Sequence, residues 1–396
     1  MTDLSHYRSR FDSVQNCHYL ISNSLGAMPN EGHQAAAAYA EMWATRGVRA
    51  WHDQWWMLAG EIGDKIGNLM NAPKDTVSMQ INVTTASAIV LSCFDFSGKR
   101  NKVVMVDMEF PSIKYLYHDW TNARGGKVEI VTCPDGITVP TERLVDAIDE
   151  TTLLVPISHV LFRSSYIVDA AAIIEKAHRV GARVVLDIYQ SLGSVPVDIA
   201  ALGADFAVGG CLKWMCGGPG AAFLYVRPDL INQLQPTFTG WLAHETPVLF
   251  RPEPITLTSG SYRFMNGTPS VPALYMCRPG LDIVSEIGIL PIREHSKKLT
   301  ARLLEQAHAK GWNTTTPLNP AERAGTVAID IENGLAVATE LNARDFLCDY
   351  RPKAGIRLSP HFYNTEHEVD EAVAEIETIL ATGAFRQHLA KKRVVT

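Results

Sequence analysis

Residues 184–190 read VVLDIYQ, and residues 206–226 read FAVGGCLKWMCGGPGAAFLYV. Apolar runs of strand length at 184–186 and 206–208 each end at a turn, and a third run, 222–226, follows a glycine-rich stretch. The first run ends in Asp187. A carboxylate at the end of a buried strand is costly unless it is paired. Three partners fit: a cationic ring nitrogen, the start of a helix that it caps, or a structural ion pair. The second run leads to Lys213, with Trp214 and Met215 beside it. Desolvation lowers the basicity of a lysine in apolar company, and the neutral amine can attack an aldehyde. A lysine at a strand end also fits a plain surface group. Gly217-Gly218-Pro219-Gly220 lets backbone pass tightly beneath a ligand. It lacks the GxxxxGK[ST] spacing of a nucleotide-triphosphate loop. Residues 193–198, GSVPVD, read as a structural turn.

Outward from this segment the alternation continues. Runs at 103–106, 128–131 and 153–157 read as strands, and 141–148 and 170–180 as helices, with Gly181 placed to end the latter. This order predicts an α/β fold with a mostly parallel sheet, whose ligands bind at the carboxyl ends of the strands. The loops after Ile157, Leu186 and Val208 are therefore the first places to look for chemistry. Residues 280–309 predict one long helix or two, interrupted near Pro291. Beyond it, 326–331 and 355–359 read as strands and 336–346 and 366–380 as helices, a small α+β unit. The expected division is an N-terminal segment (1–71) packing with the small domain, a large domain (72–279), and a linking helix with the small C-terminal domain (280–396).

The chain has 396 residues, 46% hydrophobic and 20% charged, which is enough for a large core. The formal net charge of −6, with no basic run interleaved with aromatics, argues against a nucleic-acid partner. Lys391-Lys392-Arg393 reads as a solvated helix end. No run reaches the ~18 apolar residues of a membrane span, and the polar N-terminus does not read as a secretion signal. The seven cysteines are odd in number and lack a CxxC pair. That argues against a disulfide framework or a metal site and for a cytoplasmic location.

Other segments fall in order along the chain: Asn23-Ser24-Leu25-Gly26, Thr84-Thr85 at a helix start, Phe110-Pro111-Ser112, and Ser158-His159-Val160. Gly240-Trp241 with His244, Asn266-Gly267-Thr268-Pro269, and Gly355-Ile356-Arg357 with Pro360 and Tyr363 follow. Together with Asp187 and Lys213, the series resembles the fold-type I pyridoxal 5′-phosphate (PLP) enzymes of the class V aminotransferase group, and within it the kynureninases. The resemblance implies the fold-type I transferase architecture: a large domain with a mostly parallel, seven-stranded-type sheet, and a small α+β C-terminal domain. It implies PLP held as a Schiff base by Lys213, with the ring nitrogen on Asp187 and the ring against Phe110. The phosphate would lie at Thr84 and Thr85, where a helix start favours an anion. Ser158, Gln190, Trp241 and Thr268 would complete the cofactor site. Asn23, Asn266 and Arg357 would meet an amino-acid substrate, with Arg357 holding its carboxylate. A homodimer is implied as well, because 266–269 resembles a loop that a neighbouring subunit contributes. Residue by residue, Phe110 also fits plain core, the threonines a helix cap, and Arg357 an ion pair. His52, among Trp51, Trp55 and Trp56, reads as part of an aromatic cluster. His159 fits either core or site, and Cys216 a small filler.

Three positions depart from the kynureninase pattern. Gln190 stands for a His, Leu212 for the Tyr before the lysine, and Ile113 for an Asp after the FPS/FPT motif. The expected activity is hydrolytic Cβ–Cγ cleavage of L-kynurenine or a related amino acid, giving alanine and an aromatic acid. The departures leave open an aminotransferase, an epimerase or a β-elimination lyase acting on an unusual amino acid.

Overall fold

The computed structural model describes residues 4–251 and 253–389. The basic cluster at 391–393 lies outside them. At the centre is a seven-stranded sheet. Its order is Val77–Gln80, Ala222–Val226, Phe206–Gly210, Arg183–Asp187, Thr152–Ser158, Lys102–Val106 and Lys127–Val131. Ala222–Val226 runs antiparallel to both neighbours, and the remaining pairs are parallel. The apolar runs at 103–106, 128–131, 153–157, 184–186, 206–208 and 222–226 all lie in these strands. The edge strand Val77–Gln80 was not legible. Its sequence VSMQ alternates as a half-exposed strand would, yet every position is buried. The polar side chains are accommodated by backbone: Ser78 Oγ donates to the Leu224 carbonyl and Gln80 Nε2 to that of Phe264 at 3.0 Å.

Alternate side chains of each strand point to opposite faces. Val103, Met105, Val185 and Val208 pack under the helices Val83–Ser92 and Pro111–Asn122. Val104, Val106, Val184 and Leu186 pack on the other face with Trp56–Leu69, Ala170–Val180 and Val271–Ile287. Ala170–Val180 begins where Asp169 accepts the Ala172 N–H and stops at the left-handed Gly181 (φ 80°), as the sequence predicts. The long helical stretch is two helices, parted three residues before Pro291. Val271–Ile287 ends at Gly288 (φ 81°), and Ile289–Ala309 follows. Pro291 lies in the first turn of the second helix, where the N–H it lacks has no helical acceptor. Residue 280, taken as a boundary above, falls inside the first helix.

A four-stranded antiparallel sheet, Asp349–Arg351, Gly355–Leu358, Val327–Asp330 and Asn313–Thr314, carries a separate core with the helices Gly334–Ala343 and Glu366–Thr382. The N-terminal segment packs beside it. Phe11 meets Tyr363 at 5.0 Å between ring centres, and Ser22 Oγ lies 2.7 Å from the Tyr363 hydroxyl. The same segment reaches the large domain, where the Gly26 N–H donates to the Leu212 carbonyl at 2.9 Å. Among the described residues no helix is long and apolar enough to cross a membrane.

Candidate active site

Lys213 and Asp187 line one cavity of about 330 Å³. Its position follows from strand direction. Asp187 is the last residue of its strand and pairs in register with Ser158, the last of the next. Lys213 lies in the turn after Phe206–Gly210. Because Ala222–Val226 runs the opposite way, its first residue reaches the same edge and also lines the cavity. The helix Val83–Ser92 starts at the rim. Asn82 caps it, its Oδ1 accepting the Thr85 N–H at 2.8 Å and the Thr85 hydroxyl at 3.1 Å. Thr85 is thus tied into the cap, whereas Thr84 lines the cavity with Asn82 and Val83.

Burial dominates the charges here. It pushes the Asp187 carboxyl up to about 6, against the opposing effects of the Tyr189 N–H bond at 2.9 Å and the charge of Lys213. It pulls Lys213 down to about 8, with Asp187 resisting. The Lys213 Nζ stands 4.4 Å from the centre of the Tyr189 ring and 5.7 Å from that of Phe110. Asp205, at the opposite edge of the sheet, gives the contrast. That buried carboxylate is paired with Arg183 at 2.9 Å, Arg227 at 3.0 Å and His178 at 2.9 Å. Asp187 makes no such pair among the described residues. The cavity therefore holds a carboxylate short of a cation and an amine that gives up its proton more readily than an ordinary lysine. Of the readings open for Asp187, a ligand cation fits these surroundings best.

Phe110 is not core. It is 43% exposed, borders the cavity, and meets Phe162 edge-on at 5.3 Å. Gln190 also borders the cavity, but both ends of its amide are engaged. Its Nε2 donates to the Asn23 carbonyl at 3.0 Å, and its Oε1 accepts the Trp214 indole N–H at 2.9 Å. Asn23 is buried behind it, with neither side-chain amide atom bonded to protein. Arg357 lies one layer back. Its Nε donates to Asp349 Oδ1 at 2.7 Å, Nη2 donates to the other Asp349 oxygen, and Nη1 to the carbonyl of Phe162, which lines the cavity. The ion pair is thus present. A guanidinium has five N–H groups, so one remains on each terminal nitrogen.

Trp241, Asn266 and Thr268 are not brought into this cavity. Trp241 and His244 line a separate hollow of about 300 Å³. Asn266 and Thr268 line a small cleft that shares Ile81 and Gly220 with the main cavity. Trp51 packs edge-on to Trp55 and Trp56, but the side chain of His52 is 97% exposed and stands outside that cluster. His159 is buried and pulled down to about 4 by desolvation, which keeps its ring neutral. No described cysteine lines the cavity, and Cys216 is buried filler.

Sequence reasoning missed three neighbours of the site. Tyr189 supplies the ring under Lys213. Asp349 is the register partner of Arg357 across a short hairpin, for which the Pro352–Gly355 turn was a readable signal. Glu109, just before Phe110, is a buried carboxyl bonded to Ser158. Its signal was a charge ending the apolar run VVMVDME.

The family described as aminotransferase class-V matches residues 18–371. An uncharacterised aminotransferase of Bacillus subtilis (strain 168) is 31% identical over 379 residues, covering 93% of this chain and 96% of that protein. The kynureninase of Pseudomonas fluorescens is 29% identical over 402 residues, covering 97% and 94%. Among solved structures, an apo cysteine desulfurase from Thermococcus onnurineus NA1 superposes with a TM-score of 0.87 over 96% of this chain and 99% of that one, at 21% identity. A cystine lyase carrying glycine covalently linked to PLP gives 0.85 over 93% and 98%, also at 21%. The structural likenesses establish a shared α/β fold. By the family match across most of its length and by its relatives, this chain belongs to the class V aminotransferase family.

Proposed function

We propose that the chain is a PLP-dependent enzyme acting on an amino acid, and that its reaction is kynureninase-like hydrolysis. The observation that carries the cofactor assignment is the placement in one cavity of a lysine made less basic by burial and a buried carboxylate with no ion-pair partner, beneath an open aromatic face and beside a helix start. These groups fit PLP without forcing. Thr84 and the first turn of Val83–Ser92 suit the phosphate. Phe110 suits the ring face, Asp187 the ring nitrogen, and Lys213 the aldehyde carbon.

When bound, PLP supplies an aldehyde that captures amino groups and a cationic ring that withdraws electrons from the substrate's α-carbon. Asp187 holds the proton on the ring nitrogen, because a buried carboxylate gains most from an adjacent cation. Lys213, as a free amine, would take the proton from the substrate's α-carbon, a task suited to an amine lowered to about 8. Arg357, aligned by Asp349 and Phe162, offers its remaining N–H groups to the substrate carboxylate. Beside the ring face left to Phe110, the side chains of Phe162 and Tyr189 add aromatic lining that suits an aryl side chain. In the hydrolysis, water adds to the γ-carbonyl and the Cβ–Cγ bond breaks, giving alanine and an aromatic acid. The similarity to kynureninases over nearly the whole chain supports this outcome.

A second reading is favoured by one position. Leu212 lines the cavity directly before Lys213, where it cannot donate a proton or bond a phosphate. Transamination, epimerisation or β-elimination on an unusual amino acid would dispense with such a group. We also propose a homodimer in which the 266–269 segment, which lies outside this chain's main cavity, serves the neighbouring site, as the resemblance implies. A monomeric mass for the active enzyme in light scattering would contradict that.

Incubating the PLP-loaded protein with L-kynurenine or 3-hydroxykynurenine tests the reaction. Anthranilate-type fluorescence with stoichiometric alanine is expected. A keto acid, a D-amino acid or pyruvate formed instead, from this or another amino acid, would replace hydrolysis with the second reading. Arg357→Lys keeps the charge but loses the fork. It should raise KM roughly 10- to 100-fold, as expected for losing a charge-assisted bond worth about 1.5–3 kcal/mol. An unchanged KM would remove Arg357 from the substrate site.

A further inference from the structure

Glu109 is 1% exposed and lies directly behind the cavity wall. It accepts hydrogen bonds from Ser158: the N–H reaches Oε1 at 3.1 Å and Oε2 at 3.0 Å, and the hydroxyl reaches Oε2 at 2.5 Å. Ser158 lines the cavity and is the strand-end partner of Asp187. Its hydroxyl thus stands between a buried carboxyl and the ligand space, with a single hydrogen to give. While Glu109 is a carboxylate, that hydrogen is drawn back to it, and only lone pairs face the cavity. When Glu109 takes a proton from solvent, its own O–H donates to Ser158 Oγ, and the serine hydrogen turns toward the ligand.

We propose that Glu109 and Ser158 form a proton-controlled switch, in which protonated Glu109 makes the Ser158 hydroxyl a donor to an anionic oxygen of the bound cofactor. This rests on the PLP assignment made above, and it makes Glu109 a positioning residue acting through Ser158. The surroundings place the switch in a useful range. Burial pushes the Glu109 carboxyl up to about 8; the Ser158 bonds oppose this, Asp187 on the neighbouring strand adds to it, and Lys114 on the following helix opposes it. Tyr117 and Cys133 also face the group, and burial keeps both neutral. The position is telling. Ile113, which replaces the carboxylate expected after the FPS/FPT motif, lines the cavity as a hydrocarbon, while a carboxyl is supplied from the other side of Phe110.

Glu109→Gln fixes the acid-like state. Its amide donates to Ser158 Oγ, its carbonyl accepts the Ser158 N–H, and it cannot ionise. PLP affinity is read from tryptophan quenching for the wild type, E109Q, S158A and the double variant. The range is about pH 6.5 to about pH 9.5, across the Glu109 midpoint. Taking each variant against its parent at the same pH cancels the titration of Lys213. E109Q should match the wild type at the acid end and bind about 10-fold more tightly at the alkaline end, the worth of one hydrogen bond to a charged group. In the S158A background the substitution should have no effect. A ratio that is flat with pH, or one that rises equally without Ser158, overturns the switch. A wild type that takes up no PLP would overturn the cofactor assignment, and melting of the ligand-free proteins then decides Glu109 separately. Its folded carboxyl keeps its proton up to about 8, against 4.5 for a free one, so the wild type loses stability as pH rises between those values. E109Q is spared that loss, and its lead in melting temperature should widen over the interval. A constant gap means Glu109 is not held protonated and rejects the switch.

Discussion

Backbone from distant parts of the chain closes on the loop that carries Lys213, and the rest of the site depends on that closure. A Cβ on Gly26 would lie 2.1 Å from the Lys213 carbonyl, and one on Gly280 would lie 2.2 Å from that of Met215. A Cβ on Gly193 would lie 2.8 Å from the Trp214 backbone, and His361 Nε2 donates to the Trp214 carbonyl at 2.8 Å. The N-terminal segment, the large domain, the linking helix and the small domain therefore all touch a few residues. Only glycine permits three of these approaches. The loop also holds Cys216 at φ 52°, a left-handed conformation costing a non-glycine residue roughly 1–2 kcal/mol, sustained by the surrounding packing. The lysine is thereby fixed in direction by contacts remote from any ligand.

That rigidity gives the electrostatics their force. Asp187 and Lys213 are buried beside one cavity, and neither is satisfied as Asp205 is by its arginines. An uncompensated buried pair destabilises the fold, and a ligand that meets both groups returns the difference as binding energy. The same reasoning explains why Gln190 is engaged on both sides. It joins the N-terminal segment to the lysine loop through Asn23 and Trp214, so this departure from the kynureninase pattern supports the site's architecture.

Much of the large domain was legible because buried parallel strands are continuous apolar runs and each run here ends at a turn. Val77–Gln80 was not, because its polar side chains are buried through bonds to distant backbone that leave no trace in local pattern. The helix break near Pro291 was legible, but the residue that makes it is Gly288, which ends one helix, while Pro291 sits harmlessly in the first turn of the next. In the site, Thr84, Phe110, Ser158, Asp187, Gln190 and Lys213 all line one cavity. Trp241, Asn266 and Thr268 do not join them: Trp241 lines a separate hollow, and Asn266 and Thr268, for which the resemblance implies a neighbouring subunit's site, line an adjoining cleft. Glu109 and Asp349 went unseen because each matters through its partner, and partners depend on register and tertiary contact.

The central claim is that Lys213, among all the lysines of the chain, is the residue that binds the cofactor aldehyde. Treating the protein with PLP, reducing it with borohydride and mapping the modified peptide by mass spectrometry tests this directly. The account predicts a single pyridoxyl adduct per chain, on Lys213, that disappears in Lys213→Ala. Adducts spread over surface lysines with Lys213 unmodified would contradict it.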